Sequence, residues 1–159
     1  MEDLVPNGKG QLYHYNGVLE YKGQFVNGKP NGVLCEIFHF NGNAKYIGEV
    51  IEGVYDGQGS LYFENGCLKY KGEFVKDHPN GPFVKIYFSN GNLEFSGGME
   101  NGLADCSSGT SYHKNGNIEY QGGFSEGGPN GEDCIIYYEN EEICYRGSMS
   151  KGMYDGHGC

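Results

Sequence analysis

A phrase built around the dipeptide Asn-Gly returns along the chain at an almost constant spacing. In each copy a glycine stands two positions after an aromatic residue, and these glycines are Gly23, Gly48, Gly72, Gly97, Gly122 and Gly147. A period of 24 or 25 residues is typical of a repeat array in which each unit packs only against its neighbours. We therefore expect residues 1–159 to form a single domain of about six hairpin units, with partial units at both ends.

Each copy contains two segments of period-two alternation separated by turn residues, as in "FENGCLKYKGEF" (63–74). This pattern predicts a strand, a turn and a second strand. Asn65-Gly66 is the signature of a two-residue type I′ turn, which needs positive φ at both residues. The sequence thus predicts an all-β fold: a single-layer, twisted antiparallel meander of about twelve short strands.

A two-residue turn would place Phe63 opposite Leu68 and Leu61 opposite Tyr70. One face of the sheet would then carry four rows of equivalent residues. These rows are Leu19, Ala44, Leu68, Leu93, Ile118 and Ile143; Tyr21, Tyr46, Tyr70, Phe95, Tyr120 and Tyr145; the six repeat glycines; and Phe25, Val50, Phe74, Met99, Phe124 and Met149. A glycine row beside a ring row lets each ring lie over bare backbone. Cys35 and Cys134 fall beside the glycine row and are expected to be small core residues.

The opposite face is predicted to carry a row of rings beside a row of charged residues. The candidate binding residues are the ring row Tyr13, Phe38, Tyr62, Tyr87 and Tyr112 and the charged residues Glu20, Lys45, Lys69 and Glu94. Rigid amphipathic rings are enriched at binding surfaces, so we expect this face to contact a partner. The alternative is that the rings only stabilise the sheet through their neighbours.

The repeated unit, with its "NGxLxYxGxF" phrase, resembles the MORN repeat, and most of all the bacterial variant found in YwqK-type antitoxin proteins. The resemblance implies a single-layer antiparallel sheet with a groove, often dimeric, whose repeats do not catalyse reactions. It also implies an interaction module, for which phospholipid binding has been claimed. Two positions depart from the pattern: Cys106 replaces a turn glycine and Glu141 replaces a hairpin glycine.

The formal net charge of −10, from 21 acidic and 11 basic residues, argues against a nucleic-acid partner and against anionic lipid headgroups. It favours either a basic protein partner or an acidic surface that only maintains solubility. The N-terminus lacks an apolar signal segment, and no stretch is long enough to span a membrane. We therefore expect a cytoplasmic protein.

Neither a cofactor site, a metal site nor an enzyme active site is predicted. His14, His39 and His113 occupy equivalent strand positions, and those in successive units should lie about 9.5 Å apart, too far to share one metal ion. The cysteines show no CxxC spacing, and the carboxylates form regular exposed rows rather than a pocket that would separate two pKa values. The chain is thus expected to be non-catalytic.

Three functions fit these observations. The first is a protein–protein interaction module, specifically an antitoxin or immunity protein that neutralises a basic toxin. The second is a structural scaffold or adaptor, which self-association into a homodimer would favour. The third is phospholipid binding, which the net charge makes the weakest of the three.

Overall fold

The computed structural model describes residues 5–155, whose contacts group into two compact units that meet between His78 and Pro79. Every strand pairing within each unit is antiparallel, and none of the described residues is helical, so no helix that could cross a membrane is present in this part of the chain. The all-β prediction is confirmed. The single domain over residues 1–159 stays a prediction.

The first unit is a meander in which each strand pairs with the next long strand of the chain. Its strands are β1 (Gly8–Tyr13), β2 (Leu19–Val26), β3 (Lys29–Pro30), β4 (Gly32–Phe38), β5 (Ala44–Ile51), β6 (Val54–Tyr62) and β7 (Leu68–Val75). The two-residue strand β3 pairs back onto β2 in the turn that leads to β4.

The second unit repeats this order. Its strands are β8 (His78–Tyr87, all but its first residue), β9 (Leu93–Glu100), β10 (Leu103–Ala104), β11 (Cys106–Tyr112), β12 (Ile118–Ser125), β13 (Gly128–Pro129), β14 (Gly131–Tyr137), β15 (Ile143–Ser150) and β16 (Met153–Tyr154). The two-residue strands β10, β13 and β16 pair back onto the strands before them. Setting these short returns and β3 aside leaves twelve longer strands, the number expected.

The hairpin turns differ from the type I′ prediction. Gly66 N–H donates to the Phe63 carbonyl at 2.9 Å and Phe63 N–H donates to the Cys67 carbonyl at 2.9 Å, which closes a three-residue loop. Only Gly66 takes positive φ, at 84°. This is a type I turn followed by a left-handed glycine, the usual geometry of three-residue hairpin loops. The Asn65 Oδ1 accepts the Cys67 N–H at 3.0 Å and holds the asparagine in its turn conformation.

The longer loop changes the register at the end of every hairpin. Tyr62 pairs with Leu68, so the predicted pairing of Phe63 with Leu68 is wrong. A bulge at Lys69 then inserts one extra residue, and Leu61 pairs with Tyr70 as predicted. The two shifts cancel, so the inner part of each hairpin has the predicted register while its outer end does not.

The predicted core rows beyond the bulge are confirmed. Tyr21, Tyr46, Tyr70, Phe74 and Tyr120 are each at most 3% exposed. Each buried ring of the Tyr row packs edge-on against a Phe ring, either four residues further along its own strand or on the next strand but one. Tyr70 packs in this way against Phe74, with centroids 5.0 Å apart. The row from Leu19 to Ile143 is absent from these cores, because the bulge removes it from the core face.

The rings lie over the glycine row, as predicted. A Cβ placed on Gly72 would sit 2.9 Å from Tyr70 Cζ, and one placed on Gly122 would sit 2.8 Å from Tyr120 Cζ. The ring then reaches past the glycine, so that the Tyr70 hydroxyl donates to the Glu73 carbonyl at 2.8 Å and the Tyr120 hydroxyl to the Gly123 carbonyl at 2.7 Å. Any side chain at the glycine would have to displace this ring.

Cys35 and Cys134 fill the small space beside the glycine row. Both are fully buried free thiols that lie opposite Gly48 and Gly147, which confirms the predicted packing role. The Sγ of Cys134 lies 3.0 Å from the Tyr120 hydroxyl oxygen. Cys106 is not a turn residue: it begins β11 and packs against the core of the second unit.

The sixth hairpin keeps the common turn although Glu141 replaces its glycine. Glu141 N–H donates to the Tyr138 carbonyl at 2.9 Å, and Glu141 takes a φ of 69°. A non-glycine residue in the left-handed region costs on the order of 1 kcal/mol. The predicted irregularity is therefore conformational strain within an unchanged turn.

Glu141→Gly is expected to stabilise the protein by about 1 kcal/mol, because glycine adopts this φ without strain. The measurement is the free energy of unfolding in urea. Glu139→Gly is the matched control, since Glu139 belongs to the same loop at ordinary negative φ, and it should destabilise instead. Loss of stability in Glu141→Gly would show that the turn is not strained.

Candidate functional site

The predicted ring row is retained, but its neighbours differ from those expected. Tyr13, Phe38, Tyr62, Tyr87 and Tyr112 pair directly with the apolar row that includes Leu19, Ala44, Leu68, Leu93 and Ile118. Tyr13 is 54% exposed and the other four are half-buried. The rings are thus flanked by apolar side chains rather than by the charged row.

Two residues of the charged row instead contact a residue that stands two positions before a hairpin Asn. The Glu20 carboxylate lies 3.5 Å from His14 Nδ1, and the Lys69 ammonium lies over the Phe63 ring, 5.5 Å from its centroid. Lys45 is exposed. The bulge explains this placement, because it turns the charged residue away from the ring row.

The histidines that stand two positions before a hairpin Asn hold successive hairpins together. His39 Nε2 lies 3.1 Å from the Tyr62 carbonyl, and His113 Nε2 lies 3.1 Å from the Tyr137 carbonyl, each in the next hairpin. Asparagines at the loop tips form parallel bonds, as Asn117 Nδ2 donates to the Glu139 carbonyl at 2.8 Å. These contacts account for the histidines structurally. No group of three potential metal ligands occurs within residues 5–155.

In the second unit the charged row and the core rings together line an open cavity of about 720 Å³. Its volume lies within the range of ligand-binding pockets. The residues that line it are Phe88, Glu94, Phe95, Ala104, Ser111, Tyr112, His113, Lys114, Glu119, Tyr120, Phe124, Gly127, Pro129, Ile136 and Glu139. Of the predicted site residues, the structure therefore brings Glu94 and Tyr112 together here, on a floor made by the buried rings.

Carboxylates outnumber cations among the residues that line this cavity. Glu94, Glu119 and Glu139 face one lysine, Lys114, and one histidine. The Glu119 carboxylate accepts the Ser111 hydroxyl at 3.0 Å, which fixes its position. All ion pairs found between residues 5 and 155 involve residues of the first unit, so these three carboxylates have no cationic partner within 4.0 Å.

Glu119 and Glu139 were not predicted as site residues. Glu119 was expected on the face opposite Tyr120, because the register was derived from a two-residue turn. The signal that could have found it is the loop composition: a three-residue loop requires glycine at its third position only, which all hairpins but the last provide.

Apart from the cavity, exposed apolar residues occur at β-bulges in the strands β4 and β8. Val33 and Leu34 are 70% and 81% exposed, and Phe83 is 94% exposed. Equivalent bulges carry Ser107 and Ser108 in β11 and Glu132 and Asp133 in β14. The bulge thus recurs in β4, β8, β11 and β14 with different surface chemistry, whereas β1 and β6 have no bulge at the equivalent position.

The phenols of the core face are held in their neutral form. Burial raises the pKa of Tyr46 and of Tyr120 above the ordinary value, and the hydrogen bond with Cys134 raises the pKa of Tyr120 further. Burial, with a smaller contribution from the Asp77 carboxylate, raises the pKa of Tyr55 to about 12. Tyr55 stacks on Tyr46 with ring centroids 3.8 Å apart.

Between pH 8 and 10 these phenols should leave the free energy of unfolding unchanged, and as the pH rises above 10 the free energy of unfolding should fall. The folded state holds these phenolic protons more tightly than the unfolded chain, whose tyrosines titrate near pH 10, so ionisation favours unfolding. Urea denaturation between pH 8 and 12 measures the effect. In Tyr55→Phe the fall between pH 10 and 12 should be shallower. A stability that is flat across this range would contradict burial of the phenols.

Comparison with known proteins agrees with the repeat architecture. The model of the MORN repeat matches residues 21–33, 46–68, 70–82 and 145–159, which together make up less than half of the chain. No curated protein matches the chain. MORN repeats generally serve as non-catalytic modules for interaction with proteins or lipids. At several of its repeats this chain is similar to the MORN repeat.

Proposed function

We propose that the chain is a non-catalytic protein-binding module whose partner is a basic protein. The observation that carries this proposal is the distribution of charge. The second unit contains 11 of the 21 acidic residues but only 4 of the 11 basic ones. Because no carboxylate among residues 79–155 has a cation within 4.0 Å in the described part of the chain, a basic partner can neutralise them.

The form of the sheet supports binding rather than catalysis. The described surface offers rows of half-buried rings and one acidic cavity on a framework held by buried rings and by bonds between successive hairpins. Preorganised side chains lose little entropy when a partner binds. Within this proposal an antitoxin or immunity protein that covers a basic toxin is the most specific role, and the cytoplasm is the proposed location.

Capture of the tagged protein from its own host is expected to isolate one basic protein in stoichiometric amount. Raising the NaCl concentration from about 0.05 M to about 0.3 M should weaken the complex at least roughly tenfold, because salt screens the attraction between exposed charges. Calorimetry on the purified pair measures this change. Hydrogen exchange of the complex then shows whether the rings at Tyr62 and Tyr87 lie in the contact.

Two results would overturn the proposal. Recovery of self-associated protein alone would favour a scaffold, and retention by anionic vesicles in a flotation assay would favour lipid binding. A complex whose affinity does not change with salt would contradict the electrostatic basis of partner choice.

A further inference from the structure

We infer that the cavity of the second unit binds an arginine-bearing segment of the partner; this inference rests on the proposed function and assigns it a site. The floor of the cavity contains Phe95, Tyr120 and Phe124, and its rim contains Glu94, Glu119 and Glu139. The combination of ring faces and carboxylates in one open space is the observation from which the inference starts.

The buried rings of Phe95, Tyr120 and Phe124 are at most 8% exposed and form an ordered base, in which Phe124 packs edge-on against both other rings, with centroids 4.9 Å from Tyr120 and 5.2 Å from Phe95. Two further rings that line the cavity, Phe88 and Tyr112, are only half-buried and leave part of their surface open to a ligand. A cation that approaches such rings is attracted by their π electrons. A planar guanidinium gains more from them than an ammonium, since it is less strongly hydrated and can stack.

The carboxylates of the rim supply the charge that the rings lack. Glu119 is fixed by Ser111, Glu94 is half-buried, and none of the three carboxylates has a cation within 4.0 Å inside the described chain. Guanidinium groups bind carboxylates through paired N–H donors in a geometry that ammonium groups cannot reproduce. Lys114 also lines the cavity, and three carboxylates exceed its charge.

The equivalent positions of the first unit carry different charges, which explains why we place the site in the second unit. The residues equivalent to Glu94 and Glu119 are Glu20, Lys45 and Lys69. Glu20 is paired with His14, and the two lysines would repel a cation. The volume of about 720 Å³ accommodates a short peptide segment rather than one side chain, so the ligand is an extended basic segment anchored by arginine.

The test is a titration of the full chain with the blocked peptides Ac-Arg-Arg-Arg-NH₂ and Ac-Lys-Lys-Lys-NH₂, followed by calorimetry and by NMR. The arginine peptide should bind at least about threefold more tightly than the lysine peptide, because only the guanidinium stacks on the rings and forms paired bonds. Its binding should shift the amide signals of Glu94, Glu119 and Phe124.

The double variant Glu94→Gln and Glu119→Gln should weaken the arginine peptide roughly tenfold, since it removes both charges from the rim. The matched control is Glu132→Gln with Asp133→Asn, which removes the same charge from the exposed bulge of β14 and should change the affinity by less than about twofold. Equal affinity for the two peptides, equal losses in both double variants, or no binding would overturn the inference.

The captured partner separates this inference from the proposed function. If a basic partner binds and the Glu94→Gln, Glu119→Gln variant retains its full affinity, the cavity is not the site while the function stands. If the arginine peptide binds in the cavity but no basic protein is captured, the site stands and the proposed function fails.

Discussion

The packing of a tyrosine ring over a glycine is the interaction on which each unit depends. A single sheet has no second layer to cover its core face, so its large side chains must be buried by their own neighbours. The ring of Tyr70 achieves this by lying over Gly72 and packing against Phe74, while its hydroxyl donates to the Glu73 carbonyl. At two positions the neighbouring strand carries a cysteine instead of a glycine, and the buried side chains of Cys35 and Cys134 add to this packing.

The second constraint is the loop of three residues that closes each hairpin. Its left-handed third residue shifts the pairing by one position, and the bulge three residues later restores it. The residues between the loop and the bulge of each hairpin therefore lie on the opposite face of the sheet from the one that an uninterrupted alternation would give them. In the second unit this inversion brings Glu94 and Glu119 onto the side of the buried rings, where they form the cavity with Phe95 and Tyr120. The proposed binding chemistry is thus a consequence of turn geometry.

The repeat period and the alternation of Tyr, Gly and Phe were sufficient to predict the fold class, the twelve longer strands and the core rows from Tyr21 to Met149. They were sufficient because each row recurs in every unit and only one register buries all its rings. The faces at the hairpin ends could not be derived in the same way. Asn-Gly occurs both in two-residue and in three-residue loops. The choice between these loops decides on which face of the sheet Leu68 and Lys69 lie, but it does not change the pairing of Leu61 with Tyr70.

The candidate site shows the same limit. Tyr112 and Glu94 were predicted as binding residues, and both line the cavity, but the rings of Tyr13 and Phe38 lie beside leucine and alanine rather than beside charges. A row that is regular in sequence acquires different surroundings in each repeat, since the residues at the bulges and loop tips vary. The partner therefore has to be inferred from the local charge of one unit, which the net charge of the whole chain does not reveal.

The most direct test of this account is the proton NMR spectrum of the repeat glycines. Rings stacked over Gly72 and Gly122 should shift the Hα signals of these residues upfield of their unfolded positions, whereas Gly66, which has no neighbouring atom within 4 Å of its Cβ position, should show no such shift. Ordinary shifts at Gly72 and Gly122 would contradict the account, because the core face would then lack the packing that positions the strands, the bulges and the cavity.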